Sequence, residues 1–441
     1  MRSFRFRLSS LKVRNFFVVV FILLFVKLSL NKFYFEQPIE ESTEESIEES
    51  TQEPHIDPIY FNLVIDPAPL CKTPKRLSYD TLLEQNDRYV KLRHQQKNKS
   101  LNETLQKTKS FAGPVDVQPV GNQYFFAMNL YNNQELIPHI LQELLRLFEY
   151  LGPQNIYFSL YENGSTDSSK YILSMFKVTL DRLEIRNTIV VDKKRKPKNA
   201  HRIEYLAKAR NKALESLETE SSNGRTYDKI VFINDVVFCR NDILELLYQS
   251  DLQQSDMTCP LDFNSGGVTD KTIRFRDTWI ARDLNGKSFK EPLSSIVSHK
   301  ESLNRFKKNL PFQVQCCWNG AVVLNPKPFY KPNSLRFRRG NKKVNECSAS
   351  ECSLMCNDFW ENGFRKIVTV PRVLVPYKLK DFKLLDNYDR RNRIPSPVEE
   401  KIKYIDGPEK IECRGLEKPG AIRPDQPIIW VKYTTNGTAV N

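Results

Sequence analysis

Tyr227-Asp228-Lys229-Ile230-Val231-Phe232-Ile233-Asn234-Asp235-Val236-Val237-Phe238-Cys239 is the stretch from which the fold is read. Ile230–Ile233 is an unbroken apolar run, which suits a strand buried on both faces of a parallel sheet. Asn234 and Asp235 follow at once, with no turn residue between. Open α/β sheets bind ligands in the crevice outside the carboxyl ends of their strands. A carboxylate there has two readings. It caps a turn or helix, or it holds a hard divalent cation, Mg2+ or Mn2+, that shares the oxygens of a diphosphate.

Working outward, strand and helix patterns alternate. Tyr124–Met128 reads as a strand, Glu135–Tyr150 as a helix stopped by Gly152-Pro153, and Asn155–Tyr161 as a second strand. Ser165 and Asp167 are natural caps for a helix over Ser169–Leu180. Leu183–Val191 reads as a third strand, and Arg202–Leu217 as the helix that feeds the opening stretch. This rhythm predicts βαβ units and a mostly parallel, Rossmann-like sheet.

Beyond that stretch, Asp256–Phe263 reads as a strand with Asp262 at its edge. Arg276-Asp277-Thr278-Trp279-Ile280-Ala281-Arg282-Asp283 interleaves charge with an aromatic ring. That composition suits a sugar, whose apolar face stacks on the ring while carboxylates accept its hydroxyls. It equally suits a core Trp flanked by ion pairs. Cys317-Trp318-Asn319-Gly320 opens a strand over Ala321–Leu324, Ser350-Glu351-Cys352 opens a helix over Ser353–Glu361, and Ile367–Val370 reads as a late strand.

The chain has 441 residues and a formal net charge of +14. The charge suits acidic partners such as nucleotide diphosphates, phosphorylated glycans or membrane surfaces. Two basic runs, Lys193–Lys198 and Arg336–Lys343, read as solvated loops. Nine cysteines without a Cys-X-X-Cys pair argue against a zinc site, and the odd count leaves at least one outside intrachain pairing.

The amino terminus reads as a membrane signal. Residues 1–15 are basic and form a cytoplasmic tail by the positive-inside rule, and residues 16–35 form a transmembrane signal anchor. Residues 36–56 are a Glu/Ser/Thr-rich stem too polar to bury a core. Residues 57–120 read as a membrane-proximal extension with an exposed helix over Thr81–Lys107, residues 121–380 as the catalytic domain and 381–441 as a C-terminal extension. Sequons at Asn98, Asn102 and Asn436 agree with a luminal address; Asn163-Gly164-Ser165 also fits the pattern, but is expected at the site edge and unmodified. A membrane-anchored, luminal chain argues against nucleic acid as the acidic partner.

The motifs Asn129-Leu130-Tyr131-Asn132-Asn133, Tyr161-Glu162, Arg202–Ala207 with Arg210-Asn211, Phe232–Val236, Asp262-Phe263, Asp277-Thr278-Trp279, Arg282-Asp283, Trp318-Asn319-Gly320 and Ser350-Glu351-Cys352 occur in this order between about Gly121 and Tyr377. In this order they resemble the fungal α-1,3-mannosyltransferases and capsule-associated proteins of glycosyltransferase family 69. The resemblance implies a GT-A-like domain in a single-pass type II protein of the Golgi membrane, or of the endoplasmic reticulum. It implies transfer of mannose from GDP-mannose to the 3-hydroxyl of a mannose-containing glycan acceptor, with retention of configuration. It assigns Asn129, Glu162, Arg210 and Asn234 to the nucleotide, Asp235 to a Mn2+ or Mg2+ ion, and Asp235, Glu351 and Asp283 to catalysis. Asp262, Asp277, Trp279, Trp318 and Asn319 fall to the sugars. Two departures stand out: Asn234-Asp235-Val236 replaces Asp-X-Asp, and Tyr377 stands near where a late metal-binding histidine would fall. The alternative they leave open is a catalytically inactive luminal protein that binds glycan or supports an active transferase.

Overall fold

The computed structural model describes residues 66–93, 121–193, 197–266, 272–332, 334–386 and 399–434. In chain order, α1 (Pro74–Glu84) precedes an alternation of β1 (Tyr124–Leu130), α2 (Ile137–Leu151), β2 (Ile156–Glu162), α3 (Ser169–Arg182), β3 (Arg186–Val191), α4 (Arg202–Ser222) and β4 (Lys229–Ile233). Next come α5 (Arg240–Gln253), β5 (Met257–Ser265), β6 (Ile273–Phe275), α6 (Lys300–Lys307), β7 (Phe312–Gln313) and β8 (Ala321–Leu324). The last elements are α7 (Glu351–Glu361), β9 (Ile367–Pro376), α8 (Leu379–Phe382) and a hairpin of β10 (Ile411–Arg414) with β11 (Ile428–Val431).

The main sheet has the order β3-β2-β1-β4-β8-β5-β9-β7, with β6 added to β5. β3, β2, β1 and β4 are parallel, β8 runs against both of its neighbours β4 and β5, and β9 is parallel to β5. The fold is therefore mixed α/β with a mostly parallel sheet. Apart from Asn129 in β1 and Lys229 at the start of β4, both strands are buried and their sequences are apolar rather than alternating. Phe126 of β1 meets Phe148 of α2 edge-on at 4.9 Å, and Phe125 stacks on Tyr157 of β2 at 5.3 Å.

The sequence places the late strand at Ile367–Val370, but β9 continues to Pro376. Pro371 lies inside it, although proline donates no ladder hydrogen bond. The ladder instead shifts register, from Cys259↔Thr369 to Leu261↔Leu374, and resumes. That continuation delivers Tyr377 to the carboxyl edge of the sheet. The helix expected over Thr81–Lys107 begins earlier, at Pro74, where Thr73 Oγ1 accepts from the Arg76 amide at 3.3 Å. It ends at Glu84, and residues 94–107 lie outside the described residues.

Four disulfides join Cys71 to Cys239, Cys259 to Cys317, Cys316 to Cys356, and Cys347 to Cys413, leaving Cys352 free and buried. The first ties the segment ahead of α1 to the start of α5. Around that staple, Arg76 pairs with Asp242 at 3.0 Å and Arg88 with Glu245 at 2.7 Å.

The expected location, a single-pass type II protein of the Golgi membrane, is corrected. Among the described residues no helix is long and apolar enough to cross a membrane. The segments 1–15, 16–35 and 36–56, and the sequons at Asn98, Asn102 and Asn436, lie outside the described residues.

Candidate active site

β4 ends at Ile233, and the antiparallel strand β8 begins beside it, so Asn319-Gly320 and Asn234-Asp235 share one edge of the sheet. The Asn234 amide donates to Gly320 O at 2.8 Å. Gly320 has φ +84°, and a Cβ there would lie 2.6 Å from Val236 Cγ1, so the close approach requires glycine. Asp235, half-buried, accepts from Asn133 Nδ2 at 3.1 Å. Asn133 belongs to the loop after β1, which is laced to the loop after β2. Asn132 Oδ1 accepts from the Thr166 amide at 2.8 Å, and Asp167 accepts from the Gln134 and Ser169 amides, each at 3.0 Å. Asp167 therefore helps cap α3, as expected, whereas the Ser165 hydroxyl turns to the Asn132 amide. Asn163 is buried beside Tyr205.

A second wall comes from the carboxyl end of β5. Asp262 is fully buried, and its Oδ1 accepts from the Asp277 amide at 3.1 Å. Its Oδ2 has no hydrogen-bond partner among the described residues and lies 3.7 Å from Arg276 Nη1. The Arg276 guanidinium stacks 3.7 Å from the centre of the Tyr377 ring. Burial, reinforced by Asp277 and opposed by Arg276, holds Asp262 well above the usual carboxylate range. Burial also pushes Asp277 up to about 6, with Arg276 opposing and Glu351 reinforcing. Tyr377 is raised by burial and by the fields of Asp262, Asp277 and Asp235, against Arg276. Asp235, Asp262, Asp277, Arg276 and Tyr377 thus form one electrostatic group.

The third wall is the start of α7. Ser350 caps the helix, and Glu351, buried, accepts from Ser350 Oγ at 3.1 Å and from Arg210 Nε at 3.0 Å. Arg210 Nη1 donates to Asn234 Oδ1 at 2.9 Å. The guanidinium sits among the rings of Phe232, Trp318 and Phe337, 5.0–5.6 Å from their centres.

Of the residues the sequence assigned to the site, Asp235, Asn234, Arg210, Glu351, Asp262 and Asp277 are brought together. Three others are taken up by the protein itself. Trp318 is 1% exposed and donates to Asn234 Oδ1 at 3.4 Å, so its ring packs the Arg210 guanidinium and offers no face to a sugar. Asn319 is fully buried, and its Nδ2 is bound to Pro260 O at 2.8 Å. Asp283 is fully buried; its Oδ1 accepts from the Asn285 and Lys287 amides and its Oδ2 from Ser298 and the His299 amide. Its lone pairs are filled by the loop it organises. Trp279, half-buried, is fixed by its indole N–H to Arg414 O at 2.8 Å.

Glu162 is fully buried at the end of β2, with Oε1 accepting from the Ser165 amide and Oε2 unpartnered among the described residues. Asn129 Nδ2 donates to Ala209 O at 2.8 Å, and its Oδ1 is buried without a partner among the described residues. Buried acceptors without donors are costly, so both fit positions that a ligand completes.

Three neighbours of the cluster escaped the sequence reading. Asn133 lay inside a recognised motif, but nothing in its spacing separated it from Asn129 or Asn132. Arg276 was read only as part of a charged stretch. Tyr377 was noted for the histidine it replaces, not for the stacked guanidinium. The basic run Arg336–Lys343 is not simply solvated: Arg338 pairs with Glu346 at 2.6 Å and Asp358 at 2.7 Å, and Arg339 and Lys342 both face Glu417. Part of Lys193–Lys198, residues 194–196, lies outside the described residues.

A divalent cation at this edge would find one carboxylate. Asn234 does not suit a ligand, because its amide oxygen already receives Arg210 and Trp318. Asp235 does fit, since Mg2+ is ordinarily held by one or two carboxylates together with substrate phosphates and water. Among the described residues, three metal-ligating atoms converge at Cys71, Glu143 and Cys239, but the two sulfurs there are joined as a disulfide.

A family model described as Cryptococcal mannosyltransferase 1 matches residues 123–358. The Alpha-1,3-mannosyltransferase CMT1 of Cryptococcus neoformans var. neoformans serotype D is 32% identical over 273 residues, 58% of this chain and 58% of that protein. The chain thus matches little more than half the length of that relative. Among solved structures, S. aureus TarS 1-349 is 13% identical with TM-score 0.34, covering 63% of this chain and 67% of that one. Mannosyltransferase PcManGT from Pyrobaculum calidifontis, in complex with GDP-Man and Mn2+, is 11% identical with TM-score 0.34, covering 72% and 65%. Likenesses at these scores carry no argument about the site.

Proposed function

The chain belongs to the Cryptococcal mannosyltransferase 1 family, and on that footing we propose that it is a mannosyltransferase using GDP-mannose as donor. It forms an α-1,3 linkage to an acceptor mannose with retention of configuration. The observation that carries this reading is the cluster beyond the end of β4, where Asp235, Asp262 and Asp277 all act on the Arg276 guanidinium and Glu351 acts on Asp277.

Each residue has a task within this reading. Glu162 Oε2 and Asn129 Oδ1, both without donors among the described residues, accept from N–H or O–H groups of the nucleoside. Asp235 would hold a Mg2+ or Mn2+ ion, which when bound offsets charge on the leaving diphosphate. Arg276 lies among Asp235, Asp262 and Asp277 and adds a fixed positive charge. Ionised Asp277 accepts sugar hydroxyls. Glu351 is held in place by Arg210 and Ser350, so it orients the acceptor without swinging. Retention needs no base on the opposite face of the sugar, because the departing phosphate oxygen takes the acceptor proton on the same face.

The test is an assay of the purified chain with radiolabelled GDP-mannose and an α-mannoside acceptor, with the product linkage read by NMR. An α-1,3 product is expected. The absence of both transfer and GDP release would sink the reading. One observation favours a second reading: Asn234 stands where an Asp-X-Asp would supply another carboxylate, and its amide is committed to Arg210. A catalytically inactive glycan-binding or accessory protein would bind mannosides without consuming donor.

A further inference from the structure

A cavity of about 470 Å3 lies between the loop that leads into α7 and the C-terminal hairpin. Asn345, Glu346 and Ser348 line one side, and Gly415, Gln426 and Ile429 line the other. Its volume falls within the roughly 300–1,000 Å3 of small-molecule clefts. The two sides are held together covalently by Cys347–Cys413, and by the Leu416 amide donating to Ser348 O at 2.8 Å. The cleft is therefore built into the fold rather than formed by a loose flap.

The lining selects the chemistry of the occupant. Its charges are already matched: Glu346 by Arg338 at 2.6 Å, and Glu417 by Lys342 at 3.1 Å and Arg339 at 3.5 Å. A phosphate or acidic ligand would have to break those pairs. Ser348 Oγ already donates to Glu417 and Gln426 Nε2 to Asp425 at 3.2 Å, so what remains is the Asn345 side-chain amide and Gln426 Oε1 beside Pro427 and the 47% exposed aliphatic side chain of Ile429. Donors and acceptors next to an apolar patch match a neutral polyhydroxylated ligand with alternating polar edges and apolar faces. The position adds direction. Ser348 lies three residues before Glu351, so their Cα atoms are at most about 10 Å apart.

We infer that this cavity is a remote subsite for a neutral oligosaccharide acceptor, holding sugar units beyond the one positioned at Glu351. The inference rests on the glycosyltransferase reading for its role, but not for its occupancy. Gly415 supplies the blocking variant. A Cβ there would stand 3.3 Å from Gln426 Cγ, a flexible side chain, so Gly415→Leu projects into the cavity without a backbone clash. Gln426→Ala is the gentler second variant, removing a lining amide at the surface.

The experiment has two arms, both on the purified full chain. The first is calorimetric titration with α-1,3-linked mannotetraose and mannobiose. Wild type is expected to bind the tetraose about tenfold more tightly, the worth of one or two hydrogen bonds with their contacts. Gly415→Leu and Gln426→Ala should lose that advantage. Equal affinity for the two lengths in wild type, or an advantage that survives both variants, overturns the subsite. The second arm is transfer kinetics with the same acceptors. The variants should raise KM for the tetraose and leave kcat and the mannobiose KM as in wild type. If wild type binds the tetraose through this cavity yet transfers nothing, the subsite stands and the transferase reading falls.

Discussion

Arg210 donates from Nε to Glu351 Oε1 at 3.0 Å, linking α4 to the first residue of α7. Glu351 is buried, the Arg210 side chain is 11% exposed, and three aromatic rings lie around the guanidinium. A pair so enclosed is unlike an exposed ion pair: removing one member leaves a largely desolvated charge without its counter-charge. Arg210→Ala should therefore destabilise the fold by about 3–5 kcal/mol, read from urea denaturation midpoints. Arg210→Lys keeps the charge but not the fork that reaches both Glu351 and Asn234, and should fall between. Stability unchanged in both variants would mean that Arg210 only touches ligand.

Asp277 sets a pH dependence. Its folded pKa of about 6 lies above the unfolded value of about 3.9, so the folded chain holds an extra proton between those limits. The stability this group contributes is fully present below about pH 4 and is lost as pH rises through about 6. Activity should move the other way if the ionised carboxylate accepts sugar hydroxyls: kcat/KM climbs through about pH 6. Asp277→Asn should lower activity and erase that acid limb, while its melting temperature at pH 7 is at or above that of wild type. An acid limb that persists in Asp277→Asn would assign it to another group, with Asp262 the first candidate.

Asp283 offers a contrast. Its two oxygens collect backbone and hydroxyl donors from residues 285, 287, 298 and 299. Asp283→Ala would strand those donors, at about 1–3 kcal/mol for each left unpaired and buried. The expected result is a large drop in melting temperature, with the folded fraction keeping its kcat at low temperature. A variant that folds normally but has lost kcat would return Asp283 to the reacting sugars.

Much of the β1–β4 half was legible because its signal is local. Apolar runs of strand length, helices with matched spacing and Gly152-Pro153 as a stop all report on their own neighbourhood. β9 was read only as far as Val370, since the register shift through which its ladder resumes lies against Cys259 and Leu261 of β5, more than a hundred residues away. The site shows the same division. Asp235 could be placed from the strand it ends. Trp318 could not, since an indole that stacks on a sugar and one that packs a guanidinium look alike in sequence, and only Phe232 and Phe337 arriving from elsewhere decide it. Asp283 resembled a catalytic acid for the same reason: whether a carboxylate is free or saturated depends on amides that the fold brings to it.

The Cys71–Cys239 disulfide closes a loop of 168 residues between the segment ahead of α1 and the start of α5. Cross-links over long loops stabilise mainly by restricting the unfolded chain, typically by about 2–4 kcal/mol. The double variant Cys71→Ala/Cys239→Ala should lose that much in urea denaturation. Arg76–Asp242 and Arg88–Glu245 keep the segment docked, so transfer activity should persist under native conditions. If the double variant matches wild type in stability, the staple is redundant with those ion pairs.

Asp235 provides the sharpest test of the chemistry. It follows the buried strand β4, is half-buried, and accepts a hydrogen bond from Asn133. Asp235→Asn keeps the shape and removes the charge. If the carboxylate holds a cation against the leaving diphosphate, the loss falls on kcat, because charge on that group grows toward the transition state. Removing such stabilisation costs on the order of 3–4 kcal/mol, or about 10²–10³ in rate. Asn234→Ala should act differently. It frees Arg210 Nη1 and the Trp318 indole from their shared acceptor, so it should cost stability more than rate. Chelation separates the remaining cases. Wild type that loses activity in EDTA and regains it with Mn2+, beside an Asp235→Asn variant that Mn2+ does not rescue, assigns the ion to Asp235. Full activity of wild type in EDTA with a dead Asp235→Asn would instead put the carboxylate directly on the sugar. The diphosphate charge would then have to be met by Arg276, the cation on which the field of Asp235 also acts.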